Sequence, residues 1–232
     1  KVHNTKIEVK GDDLEIGAGA MLSVAVSTAT QNSLSGLEWA IGVPGSVGGA
    51  VYGNAGAYGS DISKVLEKVE VYRDGEVLTM SNEDCKFYYR GSDFKHHGGV
   101  VLRVFLKLKT GDKAKIMGTM QGTLKQRIGR SPKGASAGCF FKNIKLEDWQ
   151  GDKSILPEKF LDYKKVGVAW LIDQCGLKGE KIGHAYVAPE HANYVMNDGD
   201  ASAEDVMALV EKVKQAVYDK YGVELEYEVQ VV

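Results

Sequence analysis

The sequence has no long apolar run, no surplus of charge of either sign and few cysteines. Its 232 residues carry a net charge of −2, so it lacks the basic excess typical of nucleic-acid binding. No run reaches the roughly 20 apolar residues that a membrane helix needs. Cys85, Cys139 and Cys175 have neither metal-ligand nor redox spacing, which favours reduced thiols in a cytoplasmic protein over a disulfide framework.

The first half contains patterns of both strands and helices. A hydrophobic content of 44% is enough for a core in one large or two small domains. Apolar periodicity predicts helices over residues 21–30 and 112–127. Asp74-Gly75 is a strong hairpin-turn signal. Short alternating runs predict strands over residues 6–9, 14–16, 69–72, 77–80 and 100–108.

The second half predicts an antiparallel sheet covered by helices. One helix spans residues 166–175 and ends before Gly176, and another follows a capping box of Ser202 and Asp205 and ends at Gly222. The predicted strands cover residues 138–142, 184–188, 193–196 and 224–231. We therefore predict an α+β chain in two lobes, with a mixed sheet in residues 1–110 and an antiparallel sheet in residues 111–232.

The region from residue 43 to residue 59 is rich in glycine, with Asn, Ser and Tyr among the glycines. Glycines let backbone N–H groups close around a pyrophosphate, and a short helix capped by Ser46 would add its positive dipole end. The spacing matches neither the Rossmann fingerprint nor the P-loop. Tight turns in a β-rich lobe would also account for the glycines, although a long ordered loop of this kind is usually functional.

Four stretches in order resemble the UDP-N-acetylenolpyruvoylglucosamine reductase family. Residues 36–59 resemble its flavin-binding signature, and residues 89–95 (Tyr-Arg-Gly-Ser-Asp-Phe-Lys) resemble its catalytic-arginine motif. Residues 136–143 (Ser-Ala-Gly-Cys-Phe-Phe-Lys-Asn) resemble its proton-donor motif. Residues 170–179 begin its C-terminal signature, which continues through 191–193 to 225–229.

The resemblance implies a particular division of the chain. Residues 1–110 are expected to form the second half of an FAD-binding lobe of the vanillyl-alcohol-oxidase-like type, and residues 111–232 a substrate-binding α+β lobe. The family begins with another small flavin-binding lobe, which is missing before Lys1, so the chain is expected to be a fragment or a truncated form. Arg90 and Cys139 are 139 − 90 = 49 positions apart, without the tyrosine-loop insertion of the longer branch, which implies the shorter subtype.

The resemblance also implies a reaction. The family uses NADPH and FAD to reduce UDP-N-acetylglucosamine enolpyruvate to UDP-N-acetylmuramate, a step of cytoplasmic peptidoglycan synthesis that serves the cell wall, cell shape and cell division. The expected protein is a monomer with no nucleic-acid or membrane partner. Such a reduction needs a cationic clamp for the developing enolate and a nearby proton donor.

Three residues receive the catalytic roles by their motif positions. Arg90 is the expected clamp, Cys139 the proton donor in place of the usual serine, and Glu228 the carboxyl beside the clamp. From the residues alone, Arg90 could instead form a cation–π pair with a tyrosine, Cys139 could be a buried thiol and Glu228 a solvated glutamate. Tyr227 and Gln230 stand where the family usually has Pro and Arg.

The binding residues are assigned in the same way. His96 and His97 lack a third ligand, so no metal is expected. Lys125 and Arg130 are further candidates, beside Arg127, for the substrate diphosphate. Substrate contacts are expected from Tyr58, Arg127, Asn143, Lys178 and His191. Cofactor contacts are expected from Val43, Pro44, Gly45, Ser46, Gly48, Gly49, Asn54, Ala55 and Gly56.

Two other functions are compatible with parts of the sequence. The chain could be a non-catalytic nucleotide-sugar-binding fragment that has lost FAD with the missing lobe. It could also be a different oxidoreductase on the same flavin fold, although the signature from Trp170 to Glu228 argues against that. The flavin absorbance of the purified protein discriminates between the fragment and the enzyme.

Overall fold

The structure is a computed structural model that describes residues 2–129 and 131–231. It divides into two compact units, Lys1–Ile128 and Gly129–Val232. This division lies further along the chain than the boundary predicted near residue 110. The reason is the helix Lys113–Arg127, which packs against the helix Leu22–Gln31 and the short turn Glu38–Ala40 of the first unit.

The first unit combines short strands with four described helices. The helices are α1 (Leu22–Gln31), α2 (Val47–Tyr52), α3 (Phe94–His97) and α4 (Lys113–Arg127). The strands are β1 (Ile7–Lys10), β2 (Asp13–Gly17), β3 (Leu34–Ser35), β4 (Gly56–Ala57), β5 (Ser60–Asp61), β6 (Leu66–Arg73), β7 (Glu76–Ser81), β8 (Val100–Lys107) and β9 (Lys109–Thr110). The hairpin predicted around Asp74-Gly75 is confirmed as β6 and β7.

Five strands of the first unit form one sheet in the order β1-β2-β8-β6-β7. Every described pairing in this sheet is antiparallel, so the predicted mixed sheet is wrong. Strands β2 and β6 do run in the same direction, but β8 lies between them and is antiparallel to both. No parallel neighbours therefore result among the described strands.

Alternation along the strands places one face of this sheet in the core. Side chains of β2, β6 and β8 that point to this face are fully buried, namely Leu14, Ile16, Val69, Val71, Val104 and Leu106. Helix α1 buries a stripe at helical spacing, formed by Leu22, Ala25, Val26 and Ala29. The sheet and the helix thus share one hydrophobic cluster.

The second unit is an antiparallel sheet with helices, as predicted. Its sheet has the order β10-β15-β14-β13. The strands are β10 (Ala135–Cys139), β11 (Ile144–Lys145), β12 (Lys165–Val166), β13 (Lys181–Ile182), β14 (Ala185–Val187) and β15 (Tyr194–Asn197). The helices are α5 (Glu158–Asp162), α6 (Val168–Gln174) and α7 (Ala203–Tyr221).

Helix α7 packs against β13, β14 and α6. The predicted capping box is present: the Ser202 hydroxyl accepts from the Asp205 N–H, and the Asp205 carboxylate accepts from the Ser202 N–H. Gly222 adopts the left-handed conformation, with φ of 67°, that ends the helix. The buried stripe of α7 consists of Leu209, Val210, Val213 and Val217.

The predicted terminal strand over residues 224–231 is wrong. Within the described part of the chain, this segment makes one antiparallel bridge, between Phe141 and Tyr227. The partner strand β10 has already ended at Cys139, and the backbone N–H and C=O of Phe141 are bonded to the side chain of Asn193. The N–H and C=O of Phe141 face away from the terminal segment, and the end of β10 at Cys139 leaves no regular strand beside that segment for a longer ladder.

Across the described residues, no helix combines the length and hydropathy needed to span a bilayer.

Two valines on β8 provide a matched test of the first core. Val104 is 0% exposed and Val100 is 48% exposed. Val104→Ala should lower the free energy of unfolding by about 2 kcal/mol because it removes buried methyl groups and leaves a cavity. Val100→Ala should change it by less than about 0.5 kcal/mol. Chemical denaturation followed by circular dichroism measures both, and equal losses would contradict the assigned faces of β8.

Candidate active site

Cys139 is the last residue of β10 and follows an irregularity in that strand. Ser136 pairs with Met196 and Cys139 with Tyr194, so β10 contains one extra residue between the two pairs. Gly138 takes a φ of +87°, and its N–H donates to the Ser136 hydroxyl at 3.3 Å. The bulge leaves the Cys139 side chain half-buried at the end of the strand.

Asn193 fixes the residues that follow Cys139. Its side chain is 3% exposed and bonds Phe141 twice: Oδ1 accepts from the Phe141 N–H at 3.0 Å, and Nδ2 donates to the Phe141 carbonyl at 2.8 Å. The Asn193 carbonyl also accepts from the Phe140 N–H at 2.7 Å. The sequence did not reveal this role, because a buried Asn beside a predicted strand carries no signal of its partner.

Glu228 lies on the segment that meets Phe140 and Phe141. Its backbone N–H donates to the Phe140 carbonyl at 2.8 Å, and the residue is half-buried. Phe140 directly follows Cys139. Two of the three predicted catalytic residues, 89 positions apart (228 − 139), are thus carried by neighbouring backbone segments of the second unit.

Arg90 belongs to the first unit, where it occupies a tight turn. Tyr88 and Gly91 exchange two backbone hydrogen bonds of 3.0 and 3.1 Å, and Arg90 between them has a φ of +59°. Its guanidinium carbon lies 5.1 Å from the centroid of the Tyr89 ring. The cation–π pair anticipated from the sequence is therefore present, and the clamp role of Arg90 stays a prediction.

The Gly-rich segment holds this turn in place. Asn54, which is 6% exposed, donates from Nδ2 to the Tyr88 carbonyl at 3.0 Å and accepts at Oδ1 from the Ser63 N–H at 3.3 Å. The buried Ser92 hydroxyl donates to the Tyr52 carbonyl at 2.7 Å. The side chain of Asn54, assigned to the cofactor by resemblance, is thus engaged in supporting the turn of Arg90.

The start of α2 differs from the expected phosphate site. Ser46 caps the helix as predicted, by accepting from the Gly49 N–H at 3.2 Å. The N–H groups of Val47 and Gly48 donate to the carbonyls of Ala20 and Ala18 at 2.8 and 2.9 Å. These first helical N–H groups are therefore satisfied within the chain and do not point at a ligand. The helix dipole alone does not make a site here.

The loop before α2, residues 43–46, leaves more open space for a cofactor than the start of the helix does. Gly45 is exposed, has a φ of +111° and has no heavy atom within 4 Å of the place where a Cβ would stand. Pro44 is also exposed, whereas Val43 and Ser46 are half-buried. Gly48, by contrast, is needed for packing, since a Cβ there would come within 2.8 Å of the Ala18 Cβ. The contact of residues 43–46 with FAD stays a prediction.

The remaining predicted cofactor residues follow this loop in the sequence. Gly49 is exposed and Ala55 half-buried. The Ala55 N–H donates to the Ala50 carbonyl at 2.8 Å, so that group is also used within the chain. A Cβ at Gly56 would clash with Ser60 and Asp61, which explains the glycine by strand pairing.

Two predicted substrate-binding residues meet in the first unit. The Arg127 guanidinium carbon lies 5.4 Å from the centroid of the exposed Tyr58 ring. Arg127 Nε is buried and has no hydrogen-bond partner among the described residues. A cation beside an exposed aromatic ring suits a phosphorylated or sugar-bearing ligand. Lys125 is exposed on the same helix, and Arg130 lies outside the described residues.

Two other predicted substrate-binding residues, Lys178 and His191, lie near each other in the second unit. Burial lowers the pKa of His191, and the nearby positive charge of Lys178 lowers it further. Lys178 pairs with Asp173 at 2.9 Å. Asn143 is exposed, and its Oδ1 accepts from the Val168 N–H at 3.1 Å at the start of α6, so it has a structural task besides the predicted one.

No group of three or more His, Cys, Asp or Glu residues suited to a metal ion occurs within residues 2–129 and 131–231.

Two family models match the chain. A model described as UDP-N-acetylenolpyruvoylglucosamine reductase, C-terminal domain, matches residues 130–232. A model described as FAD binding domain matches residues 2–81. The two matches leave residues 82–129 outside either model, and this stretch, which includes Arg90, belongs almost wholly to the first unit.

Similar proteins carry the same description. The UDP-N-acetylenolpyruvoylglucosamine reductase of Thermotoga maritima is 38% identical over 227 residues, which is 97% of this chain and 74% of that protein. The Bacillus subtilis protein of that name is 35% identical over 229 residues, or 97% and 69% of the two chains. The crystal structure of the Thermus caldophilus reductase has a TM-score of 0.77 at 38% identity, and the likeness covers 94% of this chain and 71% of that one.

The lowered pKa of His191 predicts a pH dependence of stability. Below about pH 6.5 the unfolded chain binds a proton at this residue that the folded chain does not bind, so stability falls as the pH drops towards the folded pKa. His191→Gln should remove this contribution. Melting temperatures of both proteins at pH 7.5 and pH 5.5 should show a smaller loss for the variant, and equal losses would contradict burial of a neutral His191.

Proposed function

The chain belongs to the UDP-N-acetylenolpyruvoylglucosamine reductase family of oxidoreductases, and we propose that it reduces UDP-N-acetylglucosamine enolpyruvate with electrons from NADPH carried by FAD. The product is UDP-N-acetylmuramate, so the proposed place of the enzyme is cytoplasmic peptidoglycan precursor synthesis. The FAD-binding model over residues 2–81 supports the cofactor.

One observation carries the proposal furthest. The segments of Cys139 and Glu228 lie side by side, through the bond from the Glu228 N–H to the Phe140 carbonyl. A proton donor and an acidic side chain on neighbouring segments are what the second half of this reaction needs. Cys139 and Glu228 were assigned from two separate motifs, and the contact between their segments supports a shared role in the reaction.

Reduced FAD, when bound, supplies the hydride that C3 of the enol ether receives. Residues of the chain then stabilise the developing negative charge and supply the proton. Negative charge develops on C2 and spreads into the adjacent carboxylate. The thiol of Cys139 gives its proton to C2, a role open to sulfur because a free thiol with a pKa of about 8.5 is far more acidic than a serine hydroxyl. Water then restores the proton to the thiolate.

The charge on the substrate carboxylate needs a cation. Arg90 carries a guanidinium that binds carboxylates through two parallel hydrogen bonds. Glu228 has two possible roles: it orients Arg90 as a carboxylate, or it donates a hydrogen bond to the enolate when protonated. The substrate diphosphate is assigned foremost to Arg127, which lies beside Tyr58, and further substrate contacts are assigned to Lys178 and His191.

Separate measurement of the two half-reactions tests the role of Cys139. In FAD-loaded protein, Cys139→Ala should leave flavin reduction by NADPH nearly unchanged, because the thiol has no task in that step. Reoxidation by the enolpyruvyl substrate should slow by about 10²–10⁴-fold, the usual size of general acid catalysis. Stopped-flow absorbance resolves both steps.

Two further variants complete this experiment. Cys139→Ser should recover a substantial part of the reoxidation rate, since a hydroxyl occupies the same place. Cys175→Ala is the matched control, because Cys175 is a half-buried thiol of the same unit that caps α6, and both of its rates should equal the parent's. Reoxidation of Cys139→Ala at the parent rate would make Cys139 a packing residue, and loss of both steps would indicate a structural role.

A further inference from the structure

Tyr227 precedes Glu228 and is held firmly by helix α7. Its hydroxyl donates to Glu211 Oε1 at 2.5 Å. Lys214 Nζ lies 5.0 Å from the centroid of the Tyr227 ring and 3.3 Å from Glu211 Oε1. The hydrogen bond from Tyr227 lowers the pKa of Glu211, so the acceptor is an ionised carboxylate at neutral pH. A charge-assisted bond and a cation over the ring thus anchor one phenol.

The ring of Tyr227 also contacts the residues that follow Cys139. Its centroid lies 5.7 Å from that of Phe140, with the rings perpendicular, and 5.7 Å from that of Phe141, with the rings tilted by 36°. Aromatic pairs at these distances attract beyond simple burial of area. The same side chain therefore connects α7 with the Cys139 segment.

The backbone around Tyr227 meets the segment after Cys139 through a short ladder. In the part of the chain that the structure describes, Phe141 and Tyr227 form the one bridge of this segment, flanked by bonds from Lys142 to Glu226 at 2.9 Å and from Glu228 to Phe140 at 2.8 Å. A shift of an extended segment by one residue turns each side chain to the opposite face. Because the ladder is short, the anchored side chain of Tyr227 opposes such a shift and so helps to keep Glu228 on its face of the segment.

We propose that Tyr227 is a positioning residue that fixes Glu228 against the segment of Cys139 through its bond to Glu211 and its contact with Phe140 and Phe141. This inference rests on the proposed function, because it concerns a residue assigned to the reduction of the substrate. It also accounts for a tyrosine at the position where the family motif usually has proline. Pro has no hydroxyl and no aromatic ring, so the anchor is specific to chains with Tyr here.

Half-reaction kinetics of Tyr227→Phe test the anchor. The variant keeps the ring and loses the hydroxyl, so reoxidation of the flavin by substrate should slow on the order of 10-fold, in line with the sensitivity of catalysis to small misplacements. Tyr227→Leu also loses the ring and should slow reoxidation by about 100-fold. Flavin reduction by NADPH should stay at the parent rate in both.

Two more variants guard against a trivial loss of structure. Tyr218→Phe is the matched control, since Tyr218 lies on the same helix and is 51% exposed, and both half-reactions should be unchanged. Glu211→Gln weakens the same bond from its acceptor end and should slow reoxidation in the same direction as Tyr227→Phe. Parent rates in both Tyr227→Phe and Glu211→Gln would overturn the proposal.

A double-mutant cycle separates positioning from general stabilisation. If Tyr227 acts through Glu228, adding Tyr227→Phe to Glu228→Gln should slow reoxidation no further than Glu228→Gln does alone. Full additivity would overturn the positioning role. A parent rate for Glu228→Gln would remove Glu228 from the proposed mechanism and the positioning role with it. A slow Glu228→Gln beside an unaffected Tyr227→Phe would overturn the positioning role alone.

Discussion

The two hydrogen bonds between the buried side chain of Asn193 and the backbone of Phe141 determine the candidate site of the second unit. They satisfy the N–H and the carbonyl of Phe141, which have no strand partner because β10 has ended at Cys139. Cys139 is left at the end of that strand. The terminal segment can then approach through a single bridge, which brings Glu228 beside Phe140.

Local signals in the sequence predicted most elements of the fold. The capping box of Ser202 and Asp205, the terminating Gly222 and the hairpin turn at Asp74-Gly75 each depend on residues a few positions apart. The interactions that stabilise these features are made between residues close in sequence, so the sequence alone is enough to predict them. The same holds for Ser46, whose capping bond to Gly49 spans three positions.

The errors came from partners distant in sequence. The predicted terminal strand is wrong because β10, which leads into Phe141 opposite Tyr227, already ends at Cys139. The sequence also could not show that the carbonyls of Ala18 and Ala20 accept the first N–H groups of α2, and contact of this turn with the cofactor stays a prediction. The catalytic residues were found only by resemblance to a family, since an Arg, a Cys and a Glu far apart carry no local pattern.

Overall turnover is the most direct test of the enzyme assigned here. The protein should bind FAD with the absorbance of an oxidised flavin, lose that absorbance anaerobically with NADPH and regain it on addition of UDP-N-acetylglucosamine enolpyruvate. Mass spectrometry should show the nucleotide sugar heavier by two hydrogens. A protein that binds the nucleotide sugar but stays colourless after incubation with FAD, or a reduced flavin that the substrate does not reoxidise, would contradict the account.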